Sequence, residues 1–492
     1  MRELYTTQYD SGTFTSENLL YQHRLLDPVK LTKSLTWLYG RESDKFPLLM
    51  STEGNGAYTS MKPKMLNDTQ YTWDTIGRMK HGSNVVGIVN TSTTYVGLNY
   101  TEFEADFEDA FLIKDYSAFS PDGQTQVRIN SEGQRIAPNR WRYRMVILGG
   151  TAASYITLDN FQNSGYWVMG APSVAPTKSD GNRSNEMTPG KWTNQFGFHR
   201  FSKQITGNIA NKATAIEFDL EGGGKTNLWM PFSMKLFELD RRLMQESYLW
   251  YSEYNRDEYG QIHTKDPETG EPIPKGAGVK EILTTIGNYD TYSTLTIEKL
   301  DSIINRLMTN RVDDTPMEIV LYTGAGGKRM FNTAMQNAAS SNSYYEKVGS
   351  ETINPKNGYL EYGAYFQSYK TIDGKVFTVK EVNLFNHGLK AEQDRQMGRM
   401  KDGFPYESFN MVFLDHSRTN DGERNIQLVA EEGREYMTGV YKGMTKLPAV
   451  LGPVPEGKIL STRKDMATYE VMTSAGINIL NPTTSFWLAY AA

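Results

Sequence analysis

The sequence contains no cysteine among its 492 residues. This absence excludes disulfide bonds, thiolate nucleophiles, iron–sulfur clusters and zinc sites built on thiolates. The stability of the folded chain therefore has to come from packing and association. Nor does any stretch approach the ~20 apolar residues of a membrane-spanning helix, and the first residues lack the basic start and apolar run of a secretory signal. We expect synthesis and use in a cytoplasm.

The chain also lacks an excess of positive charge. It carries 52 Lys and Arg against 57 Asp and Glu, which gives a formal net charge of −5. The molecule as a whole therefore has no electrostatic reason to condense on a polyphosphate. We expect any contact with nucleic acid to be weak and unspecific.

Sequence motifs of catalysis are missing as well. No Gly-x-Ser-x-Gly elbow and no His-Glu-x-x-His pair occurs. The histidines are dispersed without an i, i+3 or i+4 pair, so their spacing indicates no metal triad. They are His23, His81, His199, His263, His387 and His416. We therefore predict no enzymatic activity, no catalytic residue, no cofactor and no metal site.

Two glycine-rich stretches share parts of nucleotide-binding loops without completing them. In EGGGKTN, the letters GKT have the order that ends a phosphate-binding loop, but Asp219 stands where the motif requires a glycine. In LYTGAGGKRMF, the glycines of 324–327 lie between a predicted strand and helix, where an anion could bind. No correctly spaced Gly or Ser/Thr follows them. The sequence favours a hinge in the first stretch and a tight strand-to-helix turn in the second.

An acidic cluster, EFEADFED, is the other stretch that could carry chemistry. Its carboxylates are those of Glu102, Glu104, Asp106, Glu108 and Asp109. Such a cluster could bind a hard cation or supply catalytic carboxylates. The sequence favours a solvated face, or an electrostatic partner for arginines of a neighbouring chain.

Those arginines alternate with apolar residues in NRWRYRMVIL. Arg140, Arg142 and Arg144 fall on one side of the predicted strand, and Trp141, Tyr143, Met145 and Ile147 fall on the other. We predict that Glu102, Glu104 and Asp106 together with these three arginines are contact residues in an assembly.

Aromatic residues are plentiful. Tyrosines number 30, tryptophans 8 and methionines 22. These side chains fill several cores, or they line interfaces, where Tyr, Trp and Met are enriched. At this length the chain also exceeds what one hydrophobic core usually supports, so we expect more than one lobe.

The order of predicted elements gives an α+β fold. A polar arm with helical spacing from Glu17 to Tyr39 precedes short strands separated by loops, and one long helix follows over Pro231 to Asn255. Its predicted apolar stripe consists of Phe232, Leu236, Leu239, Leu243 and Trp250. A helix with Ile297, Leu300, Ile304 and Leu307 on one face, the buried strand MEIVLYT and a second helix then form an α-β-α unit, after which strands dominate.

This order resembles the capsid fold of tailed bacteriophages, the Hong Kong 97 type. The segments NRWRYRMVILGGTAASYITLDNF, MEIVLYTGAGGKRMFNTAM and AGINILNPTTSFWL resemble major capsid proteins of crAss-like phages. The resemblance implies a structural subunit that forms pentamers and hexamers of an icosahedral head around double-stranded DNA. It also implies portal, scaffolding or decoration proteins as further partners, no membrane, and a place in the virion shell after assembly in the bacterial cytoplasm. The alternatives are a portal or tail subunit, or an enzyme using the acidic 102–109 cluster or the 324–327 glycine turn.

The resemblance divides the chain into five parts. They are an N-terminal arm at 1–60, an extended loop with a β-rich insertion at 61–228, a peripheral domain with the long helix as its spine at 229–293, an axial domain at 294–470, and a C-terminal strand returning to the core at 471–492.

One copy of the chain must fit five-fold and six-fold environments, which requires a hinge. We predict that Gly222, Gly223 and Gly224, just before the spine helix, provide it.

Overall fold

The computed structural model divides the chain into two compact units, residues 74–191 and residues 1–73 with 192–492. It describes residues 47–49, 64–77, 80–89, 94–162, 165–178, 181, 183–186, 188–206, 213–219, 225–309, 318–341, 352–353, 360–361, 368–370, 376–419, 422–443 and 463–491. The predicted helical stretch of the arm, Glu17 to Tyr39, lies outside these residues. Within them, no helix is long and apolar enough to cross a membrane.

Strands dominate the described residues that precede the long helix. They are β1 (Lys64–Leu66), β2 (Gln70–Thr75), β3 (Gly82–Val89), β4 (Tyr95–Val96), β5 (Phe103–Phe107), β6 (Tyr116–Phe119), β7 (Gln126–Ile129), β8 (Gln134–Ala137), β9 (Arg140–Ile147), β10 (Ile156–Thr157), β11 (Tyr166–Pro172), β12 (Gly190–Gln195), β13 (Gly197–Thr206), β14 (Ala213–Asp219) and β15 (Lys225–Leu228). Short 3-10 helices occur at Leu98–Tyr100 and Leu158–Phe161.

The smaller unit is a closed β-barrel. Its strands follow the order β5-β3-β11-β6-β7-β9, and β9 pairs back onto β5, while β8 adds to the first half of β9. Closure leaves the six strands of the ring without an unpaired edge. Large side chains fill the interior: the ring of Phe107 contacts those of Tyr143 and Trp167 edge-on at 5.7 and 6.1 Å between centroids. The barrel therefore has a packed core of its own.

The larger unit has two large sheets and several two-stranded ones. The strands and helices from the long helix onward are α1 (Trp229–Tyr251), α2 (Val279–Thr285), β16 (Tyr289–Tyr292), α3 (Ile297–Thr309), β17 (Ile319–Thr323), α4 (Ala325–Ser341), β18 (Thr352–Ile353), β19 (Leu360–Glu361), β20 (Ser368–Lys370), β21 (Val376–Glu381), α5 (Asn383–His387), α6 (Leu389–Gln396), β22 (Met400–Lys401), β23 (Phe404–Pro405), β24 (Met411–Asp415), β25 (Ile426–Glu431), β26 (Met437–Lys442), β27 (Met466–Ile479) and β28 (Phe486–Tyr490).

The first large sheet is built on the long strand β27. This strand pairs antiparallel with β13 along one side and with β25 and β26 along the other, and β1 pairs parallel with β25.

The long helix α1 lies against this sheet. The ring of Tyr248 on α1 contacts the imidazole of His199 on β13 with 4.4 Å between centroids, and Phe237 contacts Tyr469 on β27 at 6.1 Å. Pro231 falls inside the observed helix, which begins at Trp229 and ends at Tyr251, four residues before the predicted Asn255.

The predicted apolar stripe of this helix is wrong at Leu236, whose side chain is exposed. Leu239 and Leu243 do pack against the core, and Trp250 is fully buried. Phe232 lies among residues whose side chains are not described. On the other side of the helix, Arg241 and Gln245 are also buried, and they bond to each other at 2.7 Å. The helix is thus buried on more than the one face that a stripe of leucines predicts.

The second sheet of the larger unit is the middle layer of three. Its strands follow the order β16-β28-β24-β17-β21-β20. On β17, Val320 and Tyr322 point into one core with α2 and α5, and Ile319 and Leu321 point into the other with α3 and α4. Burial on both faces explains the continuous apolar run of MEIVLYT. The predicted α-β-α unit is confirmed, as is the α+β class.

Helix α3 has the predicted inner face. Leu300, Ile304 and Leu307 are buried, and Ile297 packs against them from a partly buried position. Since apolar residues at helical spacing face the core, this part of the fold follows directly from the sequence.

Candidate functional site

Strands β5 and β9 bring the predicted charged residues together. The strands run antiparallel, with Glu104 opposite Arg144 and Asp106 opposite Arg142. Because alternate residues of a strand point to the same side, the acids of β5 and the arginines of β9 share the outer face of the barrel. We call Glu102, Glu104, Asp106, Arg140, Arg142 and Arg144 the charge ladder.

Asp106 is the centre of the charge ladder. Its side chain is fully buried and accepts hydrogen bonds from Nε of Arg140 at 2.7 Å and from Nε of Arg142 at 2.8 Å. Burial alone would raise the pKa of Asp106, but the hydrogen bonds from Arg142 and Arg140 bring it below its usual value. The ends of the ladder are looser, with Arg142 and Glu104 at 3.9 Å and Arg144 and Glu102 at 4.0 Å.

The structure thus gives the acidic residues a partner in their own chain. The sequence suggests a solvated face or arginines of a neighbouring chain, because it does not reveal that β5 and β9 are adjacent. Within one copy the three acids and three arginines balance, and the ladder lies along the strand pair that closes the barrel. A direct role of these six residues in contacts between copies stays a prediction.

Replacing Asp106 by asparagine is expected to lower the free energy of unfolding by about 2 kcal/mol, because two charge-assisted hydrogen bonds to a buried carboxylate lose their anion. Glu102→Gln is the matched control. Its pair at 4.0 Å joins half-exposed groups and should contribute less than about 0.5 kcal/mol. Denaturant unfolding of both variants measures the difference, and equal losses would show that the ladder is not centred on Asp106.

The remaining acids of the cluster have simple surface partners. Glu108 accepts a hydrogen bond from Nδ2 of Asn84 at 3.0 Å, and Asp109 pairs with Lys80. Among the described residues, no group of three or more His, Asp or Glu could hold a metal ion. The 102–109 cluster therefore behaves as paired surface and barrel charge.

The glycine turn at 324–327 is a tight junction between β17 and α4. Side chains of other elements already take its backbone N–H groups: Ala325 donates to Oδ1 of Asn386 and Gly326 donates to Oγ of Ser408, both at 2.8 Å. A Cβ on Gly326 would lie 2.8 Å from the ring of Phe409. With its amides capped from within the fold and its glycines packed against side chains, the turn has the structural role that the sequence favours.

The predicted hinge at Gly222, Gly223 and Gly224 lies outside the described residues. Strands β14 and β15 on either side of it pair antiparallel, with Asp219 opposite Lys225. The hinge itself stays a prediction.

Glu246 on α1 is a feature that the sequence reasoning missed. Its carboxylate is fully buried and accepts hydrogen bonds from the backbone N–H groups of Leu48 and Leu49 at 3.0 and 2.9 Å, and from Nε1 of Trp250 at 2.9 Å. Leu48 and Leu49 are buried in the same core. The available signal was one charged residue directly before the largely aromatic stretch SYLWY. It ties the segment 47–49 to a helix almost two hundred residues away.

Comparison with known proteins gives one family and several distant structures. The model of the Crassvirus major capsid protein family matches residues 4–492. Among curated proteins, none matches this chain. Similar solved structures include the capsid of cyanophage P-SCSP1u, at 9% identity and a TM-score of 0.31 over 65% of this chain and 80% of that one.

Two further solved structures, from other organisms, are similar to a comparable extent. The SrpI encapsulin complex of Synechococcus elongatus PCC 7942 is 11% identical, with a TM-score of 0.30 over 61% of this chain and 75% of that one. A chain of Mycobacterium phage Patience is 8% identical, with a TM-score of 0.32 over 66% and 78%.

Proposed function

This chain belongs to the Crassvirus major capsid protein family, and we propose that its copies form the pentamers and hexamers of an icosahedral head with the Hong Kong 97-type fold. It is a major capsid protein, and its place is the virion shell. The observation that carries the assignment is the family match over residues 4–492. Enclosure of double-stranded DNA and assembly in the bacterial cytoplasm belong to the proposal.

The architecture supports this role through its separate parts. A three-layer lobe that shares one of its cores with the long helix and its sheet, and a closed barrel with a core of its own, give one chain several surfaces. A shell subunit needs such surfaces because it contacts many neighbours at once. We propose that the three-layer lobe is the axial domain of 294–470, that α1 is the spine of the peripheral domain, and that the barrel is the insertion within 61–228.

Chemistry is not part of the proposed function. The two candidate sites of an enzyme, the 102–109 cluster and the 324–327 turn, consist of paired charges and capped amides. We propose that the chain is structural throughout. Portal, scaffolding and decoration proteins are its further proposed partners, and its contact with DNA is weak because the net charge is −5.

Electron microscopy of the purified full chain tests the proposal. We expect isometric shells when the protein is concentrated, alone or with scaffolding protein of the same phage. Rings, tubes or persistent monomers under both conditions would contradict it. Superposition of symmetry-independent copies in such shells tests the hinge, since the copies should differ in direction on either side of Gly222 to Gly224.

A further inference from the structure

One end of the barrel carries a cluster of exposed aromatic and aliphatic side chains. Each of the five is between 37% and 52% exposed: Tyr95, Leu98, Tyr100, Leu148 and Tyr155. The rings of Tyr95 and Tyr155 contact each other edge-on at 4.5 Å between centroids. The backbone N–H of Asn99 donates to the carbonyl of Ala152 at 2.9 Å, which joins the two loops that carry the cluster. We call these five residues the barrel tip.

The barrel tip lies at the end of the barrel away from the points where the chain enters and leaves it. The chain enters at the start of β3 and leaves at the end of β11, and Gly82 is paired with Val168 there. The end of β3, the start of β5 and the end of β9 are at the opposite end, with Val89 paired with Glu104. The loops of the tip connect these strand ends. The barrel tip is therefore not the end through which the barrel is joined to the rest of the chain.

The backbone of the tip is held in an unusual conformation. Asn99 and Tyr100 have φ angles of 57° and 58°. A left-handed backbone at a bulky residue such as Tyr100 costs on the order of 1–2 kcal/mol. It persists here although the Tyr100 side chain is exposed, so burial of that ring within the chain does not compensate the cost. Strain of this kind concentrates where a surface has a binding role.

Charge selects the kind of partner. Residues 82–101 and 145–158, which include both loops, contain no Asp, Glu, Lys or Arg, although 22% of the chain is charged. Their tyrosines, serines, threonines, glycines and asparagines make up the composition of surfaces that bind other proteins through rigid rings and adaptable polar groups. The charged residues directly beside these stretches are Glu102, which pairs with Arg144, and Asp159, so this end of the barrel has no excess of positive charge to attract nucleic acid. Within the tip itself, two copies of an acidic chain can approach each other without like-charge repulsion.

The area of the barrel tip indicates whether it can hold a partner by itself. If about half of the area of each large side chain is available, the tip offers on the order of 400 Å². A stable interface needs ~800 Å² from each partner, so the tip alone does not hold a free molecule. In a shell the other interfaces already keep the copies together, and a small contact then acts at high effective concentration.

We propose that the barrel tip binds a second copy of this chain and that it does so only within the assembled shell. This inference rests on the proposed function, because it requires shells. The tyrosines and leucines of the tip then bury against an uncharged surface of the neighbour, and they add stability to the shell without causing free subunits to pair.

Single cysteines test the inference, because the chain has none of its own. L98C and Y155C place a thiol in the tip, and I136C is the matched control. Ile136 is similarly exposed on β8 of the same barrel, and β8 pairs with β9 at Arg140 to Arg142, the end remote from the tip. The rate of labelling by a soluble maleimide is measured by mass spectrometry on unassembled chains and on intact shells. We expect at least tenfold slower labelling of L98C or Y155C in shells, and a smaller change for I136C.

Tip variants that react as fast in shells as in free chains, or that slow no more than I136C, would overturn the inference. So would tip thiols that stay reactive in shells and become protected only by a neutral oligosaccharide, which would assign the tip to a carbohydrate. Failure of the unsubstituted chain to form shells counts against the proposed function instead. A misfolded L98C is recognised by its free-chain labelling, and Y155C then carries the test.

Discussion

Glu246→Ala is expected to lower the free energy of unfolding by about 3–5 kcal/mol. The substitution removes the acceptor of three buried N–H groups, those of Leu48, Leu49 and the Trp250 indole. The substitution also leaves a cavity in the core, because alanine does not fill the volume of the glutamate side chain. Denaturant unfolding of the free subunit measures the loss. Since Leu48 and Leu49 are bound through backbone groups, the same substitution should release their amides to hydrogen exchange.

Two further variants distinguish the loss of the hydrogen-bond acceptor from the loss of charge, and from the effect of any substitution on this helix. Glu246→Gln keeps the shape and one acceptor oxygen, so we expect about half of the loss. Asp240→Asn removes an exposed charge from the same helix and should change stability by less than about 0.5 kcal/mol. If Glu246→Ala destabilises the subunit without faster exchange at Leu48 and Leu49, the carboxylate supports the core but does not hold segment 47–49.

Segment 47–49 lies within the N-terminal arm of 1–60 that the family resemblance implies. Pairing of its amides with Glu246 holds this segment against the core. We therefore expect the Glu246→Ala subunit to form fewer regular shells than the Glu246→Gln subunit. Electron microscopy of the two variants at equal concentration measures this difference, and similar shells from both would show that the position of this segment does not limit assembly.

The sequence predicted the α-β-α unit of α3, β17 and α4 because its signals are local. The apolar run of β17 and the apolar face of α3 each occupy a few consecutive residues, and burial on both faces of a strand leaves a continuous hydrophobic run. The glycine turn between β17 and α4 was also read correctly as a structural junction. Close packing of Gly326 against Phe409 explains why glycine stands there.

Closure of the barrel was not predictable in the same way. Alternation in NRWRYRMVIL gives a strand and its two faces, but the partner of that strand lies more than thirty residues earlier. Register between distant strands depends on the whole sheet. For this reason the sequence suggests the arginines as partners of the acids without revealing that β5 and β9 place both in one chain.

Acidification tests the buried histidines. Burial, with Arg241 nearby, lowers the pKa of His199 to about 4, and burial with Lys380 and Arg424 does the same for His416. In the unfolded chain both take up a proton near pH 6.5, whereas in the folded chain they do so only near pH 4. Between these values protons favour unfolding, so stability is complete above pH 6.5 and falls as the pH drops. From pH 7 to pH 5 the loss is about 2 kcal/mol for each histidine.

Glu407 works in the opposite direction. Burial raises its pKa to about 7, so its folded form takes up a proton before the unfolded form does near pH 4.5. Lowering the pH from 7 to 5 therefore stabilises the subunit by about 2 kcal/mol through this group. The two histidines and Glu407 together predict a net loss of about 2 kcal/mol over this interval in the unsubstituted subunit.

Substitutions at His199 and Glu407 should move this pH dependence in opposite directions. His199→Phe keeps a ring against Tyr248 and removes a buried Nε2 that has no hydrogen-bond partner among the described residues, so its stability should change little between pH 7 and pH 5. Glu407→Gln removes the compensating group, and its loss should grow to about 4 kcal/mol. Denaturant unfolding of the free subunits at both pH values measures the three differences. If His199→Phe loses as much stability as the unsubstituted subunit, the histidine is not held neutral by its burial beneath α1.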